Sequence, residues 1–193
     1  MSIHQDPELK KAVLNLPLKE KDKLLLRLIS KDKMLIKQLH FQLLEDESDL
    51  EGRIENLRKQ LQQLFDLGES QVYNTPSLSN FIGLSKLVKQ ASGMVNEHEK
   101  ITKHKLSEVE FRIYILERAL IAYPNLFSSS YQSAAHKLQK YIAGRIKHAV
   151  AKYEKIHEDH QFDFRDHFQE ILDTANSTAV KDYIKVLHVN TNL

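Results

Sequence analysis

Residues 106–123 read LSEVEFRIYILERALIAY, and Leu106, Val109, Ile113, Leu116, Leu120 and Tyr123 follow at steps of three, four, three, four and three. That spacing lays the apolar side chains along one stripe of an α-helix, a stripe that must be buried against a neighbour. Residues 50–64, LEGRIENLRKQLQQL, do the same: Leu50, Ile54, Leu57, Leu61 and Leu64 step by four, three, four and three. No two-residue alternation of any length competes, so the expected class is all-α. Only five Gly and four Pro interrupt 193 residues, which leaves long stretches free of helix breakers.

Helix punctuation divides the rest. Asp6-Pro7 pairs a capping residue with a proline at the first helical position, opening a short helix to about Leu14. Pro17 restarts the chain for a segment carrying Leu24, Leu25, Leu28 and Ile29, and Ser30 is the expected cap of the next helix. His40, Leu43, Leu50 and Ile54 keep one phase across Asp46 to Asp49, so a continuous helix is expected there, although Ser48 and Glu51 have capping-box spacing. Gly68 is read as the C-terminal cap of that helix. A second long helical region runs from Leu84 to Pro124, weakened at Ser92-Gly93 and repeating the capping-box spacing at Ser107 and Glu110. A loop follows from Asn125 to Ser130, then a third long helix from about Tyr131 to His157. Two short helices, about Asp163 to Ala175 and Thr178 to Leu187, end the chain, with Ser177 capping the last and Asn190 to Leu193 frayed.

The expected architecture is one all-α domain over residues 1–193: an antiparallel helical bundle of three long helices with shorter flanking helices. Short N-terminal helices occupy about 6–29, the long-helix core about 31–157, and short C-terminal helices about 163–188. Phe111, Ile115, Phe162 and Phe164 lie off the main stripes and are candidates for contact with a second copy.

Composition narrows the function classes. At 41% hydrophobic and 28% charged the chain is too apolar for wholesale disorder. It has no Cys, which excludes disulfides, thiolate metal sites and cysteine nucleophiles. The start, Met1 to Asp6, lacks the basic-then-apolar layout of a signal peptide. The most apolar windows, near Leu24 to Leu26 and Ile113 to Tyr123, are interrupted by Arg27, Glu117 and Arg118 and fall short of the ~20 apolar residues a membrane span needs. A soluble, cytoplasmic protein without a membrane span is expected.

Charge is distributed unevenly. From Arg118 to Tyr153 there are six basic residues and no acidic one; the next twenty hold seven acidic residues against Lys155 and Arg165. On the third long helix Tyr141, Arg145, His148 and Lys152 share a face, a basic stripe with an aromatic ring that suits phosphates and bases. The readier expectation is that this face pairs with Glu45, Asp46, Glu47, Asp49, Glu51 and Glu55, because net charge is only +2 and no nucleic-acid-binding signature is present. The basic run from Lys10 to Lys37, interspersed with Glu20, Asp22 and Asp32, reads as a solvated face.

Glu154 and His157 form Glu-x-x-His, with His160 close by, but a di-iron bundle needs two such motifs and two further glutamates. His40 and His98 sit on apolar stripes and are expected as core or boundary histidines with hydrogen-bond partners. Ser30 and Lys33 form Ser-x-x-Lys without a companion motif, so capping is the expected role of Ser30. The glycines are too scattered to cradle a phosphate, and Gly144 is read as permitting a close helix crossing.

No cofactor and no small-molecule substrate is implied, and no catalytic constellation supports an enzyme. The expectation is a non-enzymatic helical interaction or scaffold protein, with a protein partner or a homo-oligomer. The alternative is a nucleic-acid-associated protein holding phosphates through Lys137, Lys140, Tyr141, Arg145, Lys147, His148 and Lys152. A third reading, a helical metal enzyme, would be built on Glu154, His157 and His160.

Overall fold

A computed structural model describes residues 5–193; the reading of Met1 to His4 as lacking a signal layout lies outside the described residues. Among the described residues there are nine α-helices and no strand, as the periodicity predicts. No helix among them is long and apolar enough to cross a membrane. The chain divides into two compact units, one ending at Asp46 and one spanning Glu47–Leu193.

The first unit holds α1 (Pro7–Leu14), α2 (Leu18–Ile29) and α3 (Lys33–Leu44). Asp6 caps α1 as expected, its Oδ1 accepting from the Leu9 N–H at 2.9 Å. Asp32, not Ser30, caps α3, accepting from the Met34 and Leu35 N–H groups at 2.9 and 3.1 Å. Ser30 instead ends α2 and donates its hydroxyl to the Arg27 carbonyl at 2.9 Å. None of the three helices contains a buried residue. Leu14, Leu18, Leu26, Leu43 and Leu44 are between 62% and 76% exposed.

The second unit opens with α4 (Glu47–Glu69). The continuous helix expected through Asp46 is broken, because Glu45 is extended at φ −109° and ψ 150°. Carboxylates oppose the dipole at a helix C-terminus and favour it at an N-terminus, so the acidic run ends α3 and starts α4. Leu57, Leu61 and Phe65 form the buried stripe of α4. Gly68 is not a left-handed cap: no described glycine has positive φ. It lies inside the last turn, where an added Cβ would sit 2.5 Å from Leu87 Cδ1, so its role is the close approach of Leu87.

The region expected as a second long helix is two, α5 (Leu78–Thr102) and α6 (Lys105–Leu120). Lys103 adopts a left-handed φ of 53°, and His104 caps α6 by accepting the Ser107 N–H at Nδ1. Ser107 therefore stands within the first turn rather than at the cap of a box with Glu110. α6 packs against α4, α5, α7 and α8 and is buried nearly all round. That position absorbs Phe111 and Ile115, read from sequence as free for a second copy, into the core at 1% and 3% exposure.

The segment after α6, expected as loop, contains a 3-10 turn at Pro124–Phe127 whose Leu126 and Phe127 are fully buried. Then come α7 (Ser133–Tyr153), α8 (Glu158–Asn176) and α9 (Val180–Val186). Ser177 closes α8 instead of capping α9, donating its hydroxyl to the Thr174 carbonyl. The last residues are not frayed: Arg165 donates to the Leu193 carbonyl, and the Leu193 N–H donates to Gln169 Oε1 at 3.0 Å. Gly144 admits no close crossing, since nothing lies within 4 Å of an added Cβ.

Two glycines of α5 test the packing. Gly93 faces open space, so Gly93→Ala should raise stability by ~1 kcal/mol through helix propensity. Gly83→Ala should forfeit that gain, because its Cβ would meet the stiff Val72 side chain 2.7 Å from Cγ2. Urea melts that rank the two variants in the opposite order would contradict this packing of the 70–77 loop on α5.

Candidate functional site

Three helices are linked around one carboxylate. Glu108 of α6 is 1% exposed, and its Oε1 accepts from Arg112 Nε at 2.9 Å and Nη2 at 2.7 Å, one helical turn on. Its Oε2 accepts from Lys152 Nζ of α7 at 2.9 Å. Arg112 also donates to Asn96 Oδ1 of α5 at 2.9 Å. Burial alone would push the Glu108 carboxyl up, but the hydrogen bonds from Lys152 and Arg112 outweigh it and hold the group below the ordinary carboxylate range. A buried charge needs such partners, since isolated it would cost several kcal/mol.

This cluster sorts the seven residues read as a phosphate-binding stripe. Lys152 turns inward to Glu108. His148 is lowered to about 4, first by burial and then by the nearby cations Arg112, Arg145 and Lys152, with Glu108 opposing them; it carries no charge at neutral pH. Lys137, Lys140 and Lys147 are exposed, and Tyr141 and Arg145 are half-buried. The Tyr141 ring has the Arg145 guanidinium 5.2 Å and the Lys89 ammonium 5.5 Å from its centroid. Lys147 donates to the Leu187 carbonyl at 3.1 Å.

α7 packs mainly on α5, α6 and α9, and its Tyr153 ring meets Phe168 of α8. Glu55 is taken up by Arg58 at 2.6 Å and Lys59 at 3.4 Å. Among the described residues, no carboxylate pairs with Lys86, Lys89, Lys137, Lys140, Arg145 or Lys147. α5 contributes to this because residues 70–96 contain no acidic residue, a run the sequence reading passed over. Two acid-free stretches, 70–96 and 119–153, are thus brought together where α5 meets α7. Between them lies a groove of about 370 Å³. Phe81 forms part of its lining, with Leu78 and Ile82 exposed at 60% and 43% and with Lys86, Lys89 and Lys137 among its other residues.

The other candidates resolve differently. α7 ends at Tyr153 and α8 begins at Glu158, so Glu154 and His157 end one helix and cap the next instead of sharing a face. His157 lies 3.3 Å from Asp159, and His160 lies 3.9 Å from Asp163. Among the described residues no three His, Asp or Glu side chains are grouped to hold a metal. His98 is the buried histidine expected, its Nε2 2.9 Å from Ser107 Oγ and its ring edge-on to Phe111. This Ser–His contact is no accessible nucleophile: Ser107 is 1% exposed and its hydroxyl also reaches the His104 carbonyl and ring. His40 is exposed instead, with Nδ1 2.7 Å from Glu45 Oε1.

Comparison with protein-family models, curated proteins and solved structures gave no match to this chain. The site must speak through its own chemistry.

Two outcomes follow from the buried groups. His98 and His148 both stand at about 4 in the folded chain, against an ordinary value near 6.5, so the unfolded chain binds more protons between those limits. Stability is therefore complete above pH 6.5 and is lost as pH falls from 6.5 toward 4; urea midpoints that stay level over this range would contradict it. Glu108→Ala should cost about 3–5 kcal/mol, because Arg112 and Lys152 would keep partly buried charges without their carboxylate. A loss below ~1 kcal/mol would show that the cluster does not hold α6 to α7.

Proposed function

We propose that this chain is a non-enzymatic helical interaction module whose working surface is the acid-free face where α5 meets α7. In this reading α4, the α5–α6 pair and α7 are the long limbs of an antiparallel bundle, and the shorter helices flank them. The partner is an acidic, partly apolar protein segment. The observation that carries the reading is the groove itself: exposed Leu78 and Ile82 stand beside Lys86, Lys89 and Lys137, cations with no carboxylate paired to them. Such a surface offers apolar burial at its centre and charge complementarity at its edge.

The first unit supports a scaffold role as well. Its exposed leucines, with Lys10 to Lys37 interspersed, form a second surface of apolar character.

A nucleic-acid partner remains the alternative, because Lys137, Lys140, Arg145 and Lys147 also suit phosphates. Tyr141 weighs against base stacking there, since two cations already lie against its ring.

The test is a titration of the full chain with a synthetic amphipathic helix of Asp, Glu and Phe, and in parallel with generic single-stranded RNA and duplex DNA. The peptide should bind, and Lys86→Glu with Lys137→Glu should weaken it at least tenfold. Nucleic-acid binding that weakens steeply with salt and is abolished by Arg145→Glu with Lys147→Glu would transfer the surface to the alternative. No binding of either probe at low salt would overturn the proposal.

A further inference from the structure

We propose that the segment seated in the α5–α7 groove is the start of α8 of a second copy of this chain, so that copies join head to tail. The inference rests on the reading that the groove docks an acidic amphipathic segment, and it names that segment.

α8 is built with two faces. Phe168, Ile171, Leu172 and Ala175 are buried at helical spacing and fix the helix to its own unit, where it packs on α6 and α9. Asp159, Phe162, Asp163 and Asp166 repeat the same spacing nearer its start, and all four are exposed. Phe162 is 79% exposed, a large apolar side chain on the surface among carboxylates. Phe164, read from sequence as equivalent to it, packs against the core instead. The only ion-pair partners of Asp159 and Asp163 among the described residues are His157 and His160 on the same segment, and no lysine or arginine pairs with any of the three aspartates. The stripe is therefore acidic, aromatic and uncompensated.

The groove is its complement. Leu78, Phe81 and Ile82 offer an apolar seat for one aromatic ring, and Lys86, Lys89 and Lys137 offer cations to carboxylates spaced along a helix. Each surface lacks what the other supplies. Because the two patches differ, the contact is heterologous: every open assembly leaves one groove and one α8 start free, and growth ends only where a ring closes.

Sedimentation velocity on the full-length chain tests this. The weight-average mass should rise with concentration at low salt and fall toward the monomer in 0.5 M salt, on the order expected when surface charges are screened. Phe162→Asp removes the knob and Lys86→Glu with Lys137→Glu reverses the rim; either change should raise the concentration of half-assembly at least tenfold. Phe162, Lys86 and Lys137 are all exposed, so circular dichroism melts should match the unaltered chain. Mixed in equal amounts, the two variants should form a 1:1 dimer and nothing longer, because each keeps one intact half. A wild-type chain that stays monomeric at every concentration, or variants that assemble as it does, would overturn the inference. If the chain is monomeric while the synthetic acidic helix still binds the groove, the inference falls and the reading beneath it stands; if neither associates, both fall.

Discussion

Glu108 is the constraint on which the second unit depends. A carboxylate with 1% exposure must be matched by cations, and the cations that match it come from its own helix and from α7. Arg112 then extends the link to Asn96 on α5. Three helices are thereby fixed in register by polar contacts whose geometry is more demanding than that of apolar packing alone. Around them Val88, Ala91, Val95, Ile113, Leu116, Ile142 and Ile146 supply the burial that makes the arrangement stable.

The same constraint shapes the surface. Glu108 draws Lys152 inward, while the other cations of α7 keep their outward positions. α5, held beside α7, adds Lys86 and Lys89 and no acid before Glu97. The uncompensated basic groove arises where these two acid-free stretches, 70–96 and 119–153, lie side by side. Its apolar lining comes from Leu78, Phe81 and Ile82 at the start of α5, beyond the reach of the polar cluster. The proposed docking rests on an asymmetry: carboxylates lie at Glu108 and along the start of α8, while cations line the α5–α7 groove.

The helical class was legible because Leu106 to Tyr123 and Leu50 to Leu64 carry a strict three-four spacing, and Val109, Ile113, Leu116, Leu120, Leu57 and Leu61 are indeed buried. The breaks were not. Lys103 enters a left-handed conformation that sequence reading reserves for Gly or Asn, and Glu45 interrupts a stripe whose phase continues on both sides. Counting apolar residues alone also hid the polar centre, although Glu108 and Arg112 stand four apart, the spacing of a helical ion pair. The basic stripe was found, yet His148 and Lys152 could be assigned inward only once α6 was in place. Residues 70–96 went unremarked because an absence of acid is silent until another acid-free helix lies beside it.

Chemical labelling of lysine amines, followed by mass spectrometry on the native chain, tests the central claim most directly. The account predicts that Lys86, Lys137 and Lys140 react at the rate of solvated lysines, while Lys152, hydrogen-bonded to Glu108, reacts far more slowly until the chain unfolds. With copies kept apart by dilution in 0.5 M salt, equal rates at Lys152 and Lys137, or protection of Lys137 and Lys140, would contradict it.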